Sequence, residues 1–556
     1  MPIDFVLALH SHLPWVLNHG RWPHGSDWLC EAALDAYLPL IERLRALEAE
    51  RIAAPLTLGV TPVLANQLVS PTFIGEMEAF FGQRLLACDE ARESLESTGE
   101  GHLLPLVEFW RERLTRLRAA FHDIGGDIVS ALRALEESGR IEIITSAATH
   151  GFLPLFARDE SIRLQLALGR AEHRRLFGRA PQGIWVPECA YRPRGPWQPW
   201  SSAPRPGIRR GIEEHLGDAG FRYFFVDSHL ASAGRPLGIY GDAGGDPTVH
   251  RSGDRLNELG LRSPYRAYEV APWRSDGVAA LVRDPRSSMQ VWSRFQGYPG
   301  DGHYLEFHKM RWPGGLKFWR VTGGGVDLGG KEPYDPAAAR ARALHHAEHF
   351  TGLVAGIASS ERRRRDAVVV APFDTELFGH WWFEGPDWLA GVYRSLARDE
   401  RSVRPVTASR HLADHPARQP IALPAGSWGA NGDFSMWIGE ATVWTWERLW
   451  AMEEAFWNAV PGALDRPAAR PVLAQAAREL LLAQASDWQF IISTGVAADY
   501  AERRFLRHCD DAGDLLAALI PGAETRLPSA QANAERLHRR DDLFPDILSA
   551  VANAIG

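Results

Sequence analysis

The sequence predicts an α/β barrel followed by an all-helical C-terminal domain, and three observations carry that prediction. Short apolar, β-branched runs alternate with amphipathic helical stretches over residues 1–409. Ionisable side chains gather where those runs end. Beyond about residue 410 the strand-like runs stop and only helical patterns remain. Strands alternating with helices form parallel sheets, and seven or eight such units suggest closure into a barrel. Barrel enzymes carry their chemistry at the carboxyl ends of the strands.

The strands are read in order at 4–10 (DFVLALH), 56–61, 141–146, 183–188, 222–227, 278–283 and 367–373, with a weaker one at 403–407. Helical periodicity covers 32–50, 105–138, 160–177, 336–359 and 386–399. The first strand ends in His10 and His12 and the third runs into His150. The fourth ends in Glu188, the fifth in Asp227 and His229, and the seventh in Asp374 and Glu376. Two stretches break the alternation. A Pro/Arg-rich excursion occupies about 190–217, and a Gly/Pro/Arg-rich stretch at about 229–277 reads as a long loop over the barrel mouth. Residues 440–459, 468–492, 497–518 and 529–553 read as helices of a C-terminal domain, 410–556.

Composition narrows the function classes. The 556 residues carry a formal net charge of −8, which argues against a broad nucleic-acid or anionic-membrane surface. Only Lys309, Lys317 and Lys331 are lysines among 61 Lys+Arg, leaving 61 − 3 = 58 arginines, a bias read mainly as that of a GC-rich genome. Cys30, Cys88, Cys189 and Cys509 are too scattered for a metal-type pair or a disulfide framework. No export signal precedes His10 and no run of about 18 apolar residues follows, so a cytoplasmic location off the membrane is expected. The 21 tryptophans exceed the 11 tyrosines. Indole faces stack on sugar C–H surfaces, although half or more of the rings, Trp110 and Trp457 among them, are expected in the core. Loop rings are the better sugar platforms: Trp15, Trp22, Trp28, Trp292, Trp428 and Trp437.

Glu188, in Trp185-Val186-Pro187-Glu188-Cys189, suits a nucleophile or acid–base group, or else a salt-bridged strand-end carboxylate. Asp374 lies among aromatic residues in Phe373-Asp374-Thr375-Glu376-Leu377-Phe378-Gly379-His380-Trp381-Trp382. Partial desolvation there raises a carboxyl pKa, as a general acid requires. Glu376 competes for that role, and either carboxylate suits a helix cap. His10, His12 and His150 admit three readings: zinc ligands, sugar-binding groups, or structural histidines. Two carboxylates on one cleft suit glycoside chemistry.

Five blocks then resemble glycoside hydrolase family 57, and within it the branching-enzyme group. They are His10-Ser11-His12-Leu13-Pro14, Gly59-Val60-Thr61-Pro62-Val63-Leu64, the Glu188 block, the Asp374 block, and Ser486-Asp487-Trp488-Gln489-Phe490. The resemblance implies a (β/α)7 barrel with an inserted subdomain and a C-terminal helical domain closing on the cleft. It implies Glu188 as nucleophile and Asp374 as general acid/base of a retaining reaction on α-1,4-glucan, with transfer to a 6-hydroxyl. It further implies substrate contacts from Arg283, Gly300, Trp428 and Asp487, and subsites lined by His10, His12, His150, Trp22, Trp28, Trp292 and Trp437. Tyr240 is the choice for a tyrosine on the mobile loop, ahead of Tyr268. No metal or cofactor is implied, and a monomer or small homo-oligomer is expected. Three features depart from the family pattern: the lengthened loop after Tyr240, the Pro-rich stretch after Tyr191, and Val496 where many relatives have glutamine. The alternatives are an α-amylase or 4-α-glucanotransferase of the same family, a catalytically silent glucan-binding protein, and a zinc-dependent enzyme on a related barrel.

Overall fold

A computed structural model of the protein describes residues 2–231, 262–270, 277–293, 297–398 and 402–555. Tyr240 and most of the expected mouth loop lie outside the described residues. The strands are β1 (Ile3–Ser11), β2 (Leu56–Val60), β3 (Ile141–Ser146), β4 (Gly183–Trp185), β5 (Gly195–Trp197), β6 (Gly207–Arg209), β7 (Tyr223–Val226), β8 (Ala267–Val270), β9 (Val278–Val282), β10 (Val368–Asp374), β11 (Val403–Pro405) and β12 (Pro420–Ile421). Seven of them run parallel in the order β10-β1-β2-β3-β4-β7-β9. The ring closes where Arg283, just past β9, bridges Val370 of β10 and the Asp284 N–H donates to the Val370 carbonyl at 2.8 Å. This is the (β/α)7 barrel.

Side-chain alternation sorts the strands into two cores. Val6, Ala8, Ile144, Trp185, Phe225, Leu281, Val368 and Val370 fill one cluster inside the ring. Phe5, Leu7, Leu9, Leu58, Ile143, Phe224 and Val369 join the helices outside. Continuing the inward set by two residues reaches His10 from Ala8, Asp227 from Phe225, and Arg283 from Leu281. On β10 the same face runs from Val370 through Pro372 to Asp374. The pattern that packs the barrel therefore also aims its polar groups, and in the β1–β10 register His10 lies beside Asp374.

Several elements differ from the sequence reading, each for a local reason. The stretch 105–138 is two helices, Leu104–Asp123 and Ile128–Glu137. Gly125 and Gly126 take positive φ between them, and Asp127 caps the second helix by accepting from the Ser130 N–H at 2.8 Å. A 27-residue helix, Pro71–Ser97, was not in the reading. The excursion after Tyr191 is not wholly irregular, because β5 and β6 pair antiparallel and the helix Ile212–Asp218 follows. Within 262–270, read as loop, β8 pairs antiparallel with β9.

Residues 468–492 also divide, into Arg470–Ala483 and Asp487–Thr494. That break turns the chain toward the barrel: the Ser486 N–H donates to the His150 carbonyl at 3.1 Å, and Gly151 bridges Ala485. Elsewhere Arg504 donates to the Trp15 carbonyl at 2.6 Å, and His19 meets Asp541 at 2.7 Å. The C-terminal helices are thus fastened to the carboxyl-end face of the barrel. No helix among the described residues is long and apolar enough to cross a membrane.

Candidate active site

Strand β4 stops at Trp185, and Pro187–Cys189 forms a single tight turn. Glu188 there has φ +59° and Cys189 φ +47°, both in the left-handed region that costs an L-residue of order 1 kcal/mol. Such conformations persist where the surroundings fix them, and they cluster at functional sites. Here the surroundings are visible. The segment Gly426–Trp428 lies along this turn, with the Trp428 N–H donating to the Glu188 carbonyl at 3.0 Å and Gly426 pairing with Tyr191.

Both carboxylate oxygens of Glu188 are held. The Trp428 indole N–H donates to Oε2 at 2.9 Å, and the Ser486 hydroxyl donates to Oε1 at 2.9 Å. Burial pushes the Glu188 pKa up, and these two hydrogen bonds offset part of that rise. A buried chain of contacts supports Ser486. His150 Nδ1 lies 2.9 Å from Ser486 Oγ, and His150 Nε2 lies 2.9 Å from His10 Nε2. The His10 ring stacks on Trp185, with centroids 4.7 Å apart and planes at 5°. Burial pushes both imidazoles well below the usual histidine range, helped by their neighbouring histidines, so they are neutral here. The Cys189 thiol is pushed well up by burial, and the negative charges of Asp227, Glu188 and Asp374 add to that. It stays a thiol and offers no competing nucleophile.

Asp374 is placed differently. Burial raises its pKa well above the carboxylate range, the charges of Glu376 and Glu188 add to that, and Arg283 opposes it. No hydrogen bond from a described residue stabilises its ionised form. Glu376, also raised by burial, accepts from the Tyr37 hydroxyl and from the His12 backbone N–H at 3.1 Å. Of the two carboxyls offered by this loop, Asp374 is free to meet a ligand and Glu376 is tied to the scaffold.

Tyr37 ends a short π-helical turn, Ala33–Tyr37, that packs against the Asp374 loop. Gly379 carries φ +120°, and a Cβ on it would lie 1.8 Å from the Asp35 carbonyl oxygen. Gly379→Ala is therefore expected to destabilise the protein by at least about 3 kcal/mol, since strain and overpacking add. Thermal denaturation of the purified variant checks it; an unchanged midpoint would contradict this packing.

The remaining expected residues fall into two groups. The Arg283 guanidinium lies 5.7 Å from the ring centroids of both Trp292 and Trp428, and donates to Ser288 at 2.9 Å. Asp487 accepts from His12 Nε2 at 2.9 Å, while His12 Nδ1 lies 3.1 Å from Thr61 Oγ1. His10, His12, His150, Glu188, Asp374, Arg283, Trp292, Trp428 and Asp487 thus converge on the carboxyl-end mouth of the barrel. Others do not share this network. Trp22 is 77 % exposed, Trp28 is half-buried at the edge of His24, and Gly300 ends the turn Tyr298–Gly300 whose Tyr298 packs on His346. Two loop tryptophans expected as platforms are core residues instead. Trp437 is 1 % exposed and stacks on Phe152 at 4.6 Å, and Trp15 is 2 % exposed with its N–H on the Arg540 carbonyl. Their flanking Gly and Pro residues suggested surface loops, but both loops fold back onto the C-terminal helices. Trp110 and Trp457 are in the core as expected.

The zinc reading named His10, His12 and His150; the group with ligand-type atoms within 4.8 Å of one another is His12, His150 and Asp487. Both nitrogens of each ring already have protein partners, so a cation there would displace bonds that hold Ser486 and Asp487. Sequence reasoning did not single out Ser486, Trp185 or Tyr37. Ser486 lies inside a block noted for Asp487, and that adjacency was the only signal for it.

The site can be compared with known proteins. Residues 6–424 match the model of glycosyl hydrolase family 57, and residues 449–551 match that of the 1,4-α-glucan branching enzyme C-terminal domain. A 1,4-α-glucan branching enzyme of Thermococcus kodakarensis is 40 % identical over 510 residues, covering 91 % of this chain and 72 % of that one. A probable 1,4-α-glucan branching enzyme of Mycobacterium tuberculosis is 34 % identical, covering 98 % and 97 %. Among solved structures, a branching enzyme of this family from Pyrococcus horikoshii superposes with a TM-score of 0.88 at 37 % identity, covering 99 % of this chain and 97 % of that one. The α-amylase AmyC of Thermotoga maritima gives 0.79 at 29 % identity, covering 99 % of both chains. With a family model matched across the whole barrel and relatives aligned over nearly its full length, the chain belongs to glycosyl hydrolase family 57.

Proposed function

We infer that the protein is a 1,4-α-glucan branching enzyme in which Glu188 and Asp374 carry out the bond exchange. One observation carries the assignment of roles. Glu188 is fixed through both oxygens, while Asp374, across the same mouth, is raised in pKa and has no hydrogen bond from the described residues. A nucleophile must be oriented and ionised; a general acid must hold its proton at neutral pH. The match of residues 449–551 to the branching-enzyme C-terminal model supports branching over simple hydrolysis.

In the first step Glu188 attacks the anomeric carbon of an α-1,4-linked glucose, and Asp374 gives its proton to the departing 4-oxygen. The result is a glycosyl ester on Glu188. Forming that ester removes the Glu188 charge, one of the causes raising the Asp374 pKa. The deprotonated Asp374 then accepts the proton of an incoming 6-hydroxyl as that oxygen displaces Glu188. The product is an α-1,6 branch with retained configuration. Water in place of the hydroxyl gives hydrolysis by the same two carboxylates.

Counting α-1,6 anomeric protons by NMR after incubation with amylose tests the function. New branch signals are expected in excess over new reducing ends. Reducing ends without branches would make the protein a hydrolase of the family, and redistributed chain lengths without branches a 4-α-glucanotransferase.

Trp428→Phe and Ser486→Ala each remove one hydrogen bond to the Glu188 carboxylate. The Glu188 pKa should then rise further, since both bonds lower it. Activity requires ionised Glu188 and is lost as pH falls through its pKa. The acid limb of the kcat/KM profile should therefore move to higher pH in both variants, with kcat lowered about tenfold or more. An acid limb that stays in place would show that these bonds do not tune the nucleophile.

A further inference from the structure

A second aromatic surface lies beside the Asp374 loop. Trp381 is 47 % exposed, and its ring lies over that of Phe307 with centroids 4.6 Å apart and planes 34° apart. The edge of His380 meets Phe307 at 5.6 Å, and the Lys317 ammonium stands 4.2 Å from the Phe307 ring centroid. Glu31 and Asp35 lie close enough to Lys317 and His380 to interact electrostatically with both. The polar groups here are poorly served by the protein. His380 Nδ1 is buried without a hydrogen-bond partner, 3.8 Å from Asp35 Oδ2. Lys317 donates no hydrogen bond among the described residues, and burial lowers its pKa.

Composition adds an independent observation. A chain with 58 arginines keeps its three lysines within residues 309–331. Two of them set an ammonium over an aromatic ring at 4.2 Å, Lys317 on Phe307 and Lys309 on Trp319. A guanidinium is wide and planar, whereas an ammonium is a compact donor on a flexible stem. The compact donor fits beneath a ring and still leaves N–H groups for a ligand.

We propose that Trp381 and Phe307, with Lys317 and Glu31 at their base, form a second α-glucan-binding site on the carboxyl-end face of the barrel. The proposal rests on the glucan reading above. Exposed rings alone are common on protein surfaces. A tilted pair of rings in contact, beside an ammonium, a carboxylate and an imidazole nitrogen without a hydrogen-bond partner, complements the chemistry of a sugar: a flat C–H face and a rim of hydroxyls. The exposed indole N–H has no partner among the described residues and can donate to a hydroxyl. The position suits a polymer. The Trp381 backbone N–H donates to the Glu376 carbonyl at 3.1 Å, and the Glu376 carboxylate binds Tyr37 and the His12 backbone, so the platform is joined to the Asp374 loop. A chain threading the cleft can lay a second segment on it.

The test uses the full chain carrying Glu188→Gln, so that glucan binds without turnover, and calorimetric titration with amylose and with a short maltooligosaccharide. Adding Trp381→Ala is expected to weaken amylose binding about fivefold, while the short ligand, held in the cleft, changes by less than about twofold. Adding Trp381→Phe should restore most of the affinity, and adding Lys317→Met should weaken amylose in the same direction as Trp381→Ala. Equal losses for both ligands would overturn the second site and place Trp381 in the cleft. Unchanged amylose affinity would overturn it outright, leaving the patch to a protein partner. If the Glu188→Gln parent itself binds no amylose, the glucan reading fails, and this proposal with it.

Discussion

Glu188→Gln is expected to lower both chain transfer and hydrolysis by about 100,000-fold while leaving the fold intact. Loss of a covalent nucleophile removes the whole reaction path and not a fraction of its stabilisation, so effects of this order are usual. The substitution is well suited to this pocket. The Trp428 indole can only donate, so it requires the amide oxygen of a glutamine on its side. The amide NH2 then faces Ser486, whose hydroxyl can turn to accept. Both bonds survive, and a buried charge disappears. Because burial raises the Glu188 pKa, ionising it at neutral pH costs folding stability; the variant should melt at or above the parental temperature. Inactivity combined with an undiminished melting temperature separates a chemical role from a structural one. Glu188→Ala supplied with azide adds a positive readout: the small anion attacks the anomeric carbon from the vacated side and yields a β-glycosyl azide. Transfer at a parental rate by Glu188→Gln would overturn the assignment.

The barrel was legible because its information is local and periodic. Each of the seven barrel strands was visible as an apolar run, and the polar residues that end them are the ones that meet at the mouth. His10 and Asp374 were candidates from their strand-end positions, the His-x-His pair and the aromatic residues around Asp374, and the register places the two side by side. What was not legible depends on where the chain breaks and what folds back. Residues 468–492 have continuous helical periodicity, so nothing marked the break after Ala483 that delivers Ser486 to Glu188. The left-handed turn at Glu188 is likewise invisible in a run that reads as strand through residue 188, because the conformation is imposed by the distant Gly426–Trp428 segment. The tryptophans were hardest. Trp428 and Trp437 stand nine positions apart in similar Gly/Ser-rich sequence, yet one holds the Glu188 carboxylate and the other packs on Phe152. Only tertiary contacts distinguish them.

Asp374→Asn should cost about 1,000- to 10,000-fold in kcat/KM on amylose, and its pattern of effects is more informative than its size. Asparagine has no proton to give, so cleavage of a poor leaving group such as a sugar 4-oxygen suffers most. A glucosyl fluoride needs little protonation to depart, so its first step should be affected far less; an equal loss on both substrates would remove Asp374 from the acid role. The pH profile follows from the sign of the shift. The acid form is the active one, present below the Asp374 pKa and lost as pH rises through it. Because burial and the charges of Glu376 and Glu188 push that pKa well up, the parental enzyme should stay active through neutral pH and decline on the alkaline side. With glucosyl fluoride the variant should lack that alkaline decline. The substitution should move stability in the opposite sense to activity. A carboxyl whose folded pKa lies above its unfolded one binds more protons when folded, so folding stability falls as pH rises between the two values. Asparagine removes that penalty, and Asp374→Asn should gain thermal stability over the parent, more at higher pH. Glu376→Gln should behave otherwise, because Glu376 accepts from Tyr37 and the His12 backbone. Its loss should loosen the scaffold and lower kcat on amylose and on the fluoride alike, without selective rescue. The contrast between two carboxyls two residues apart is what the geometry demands of a proton donor and its support.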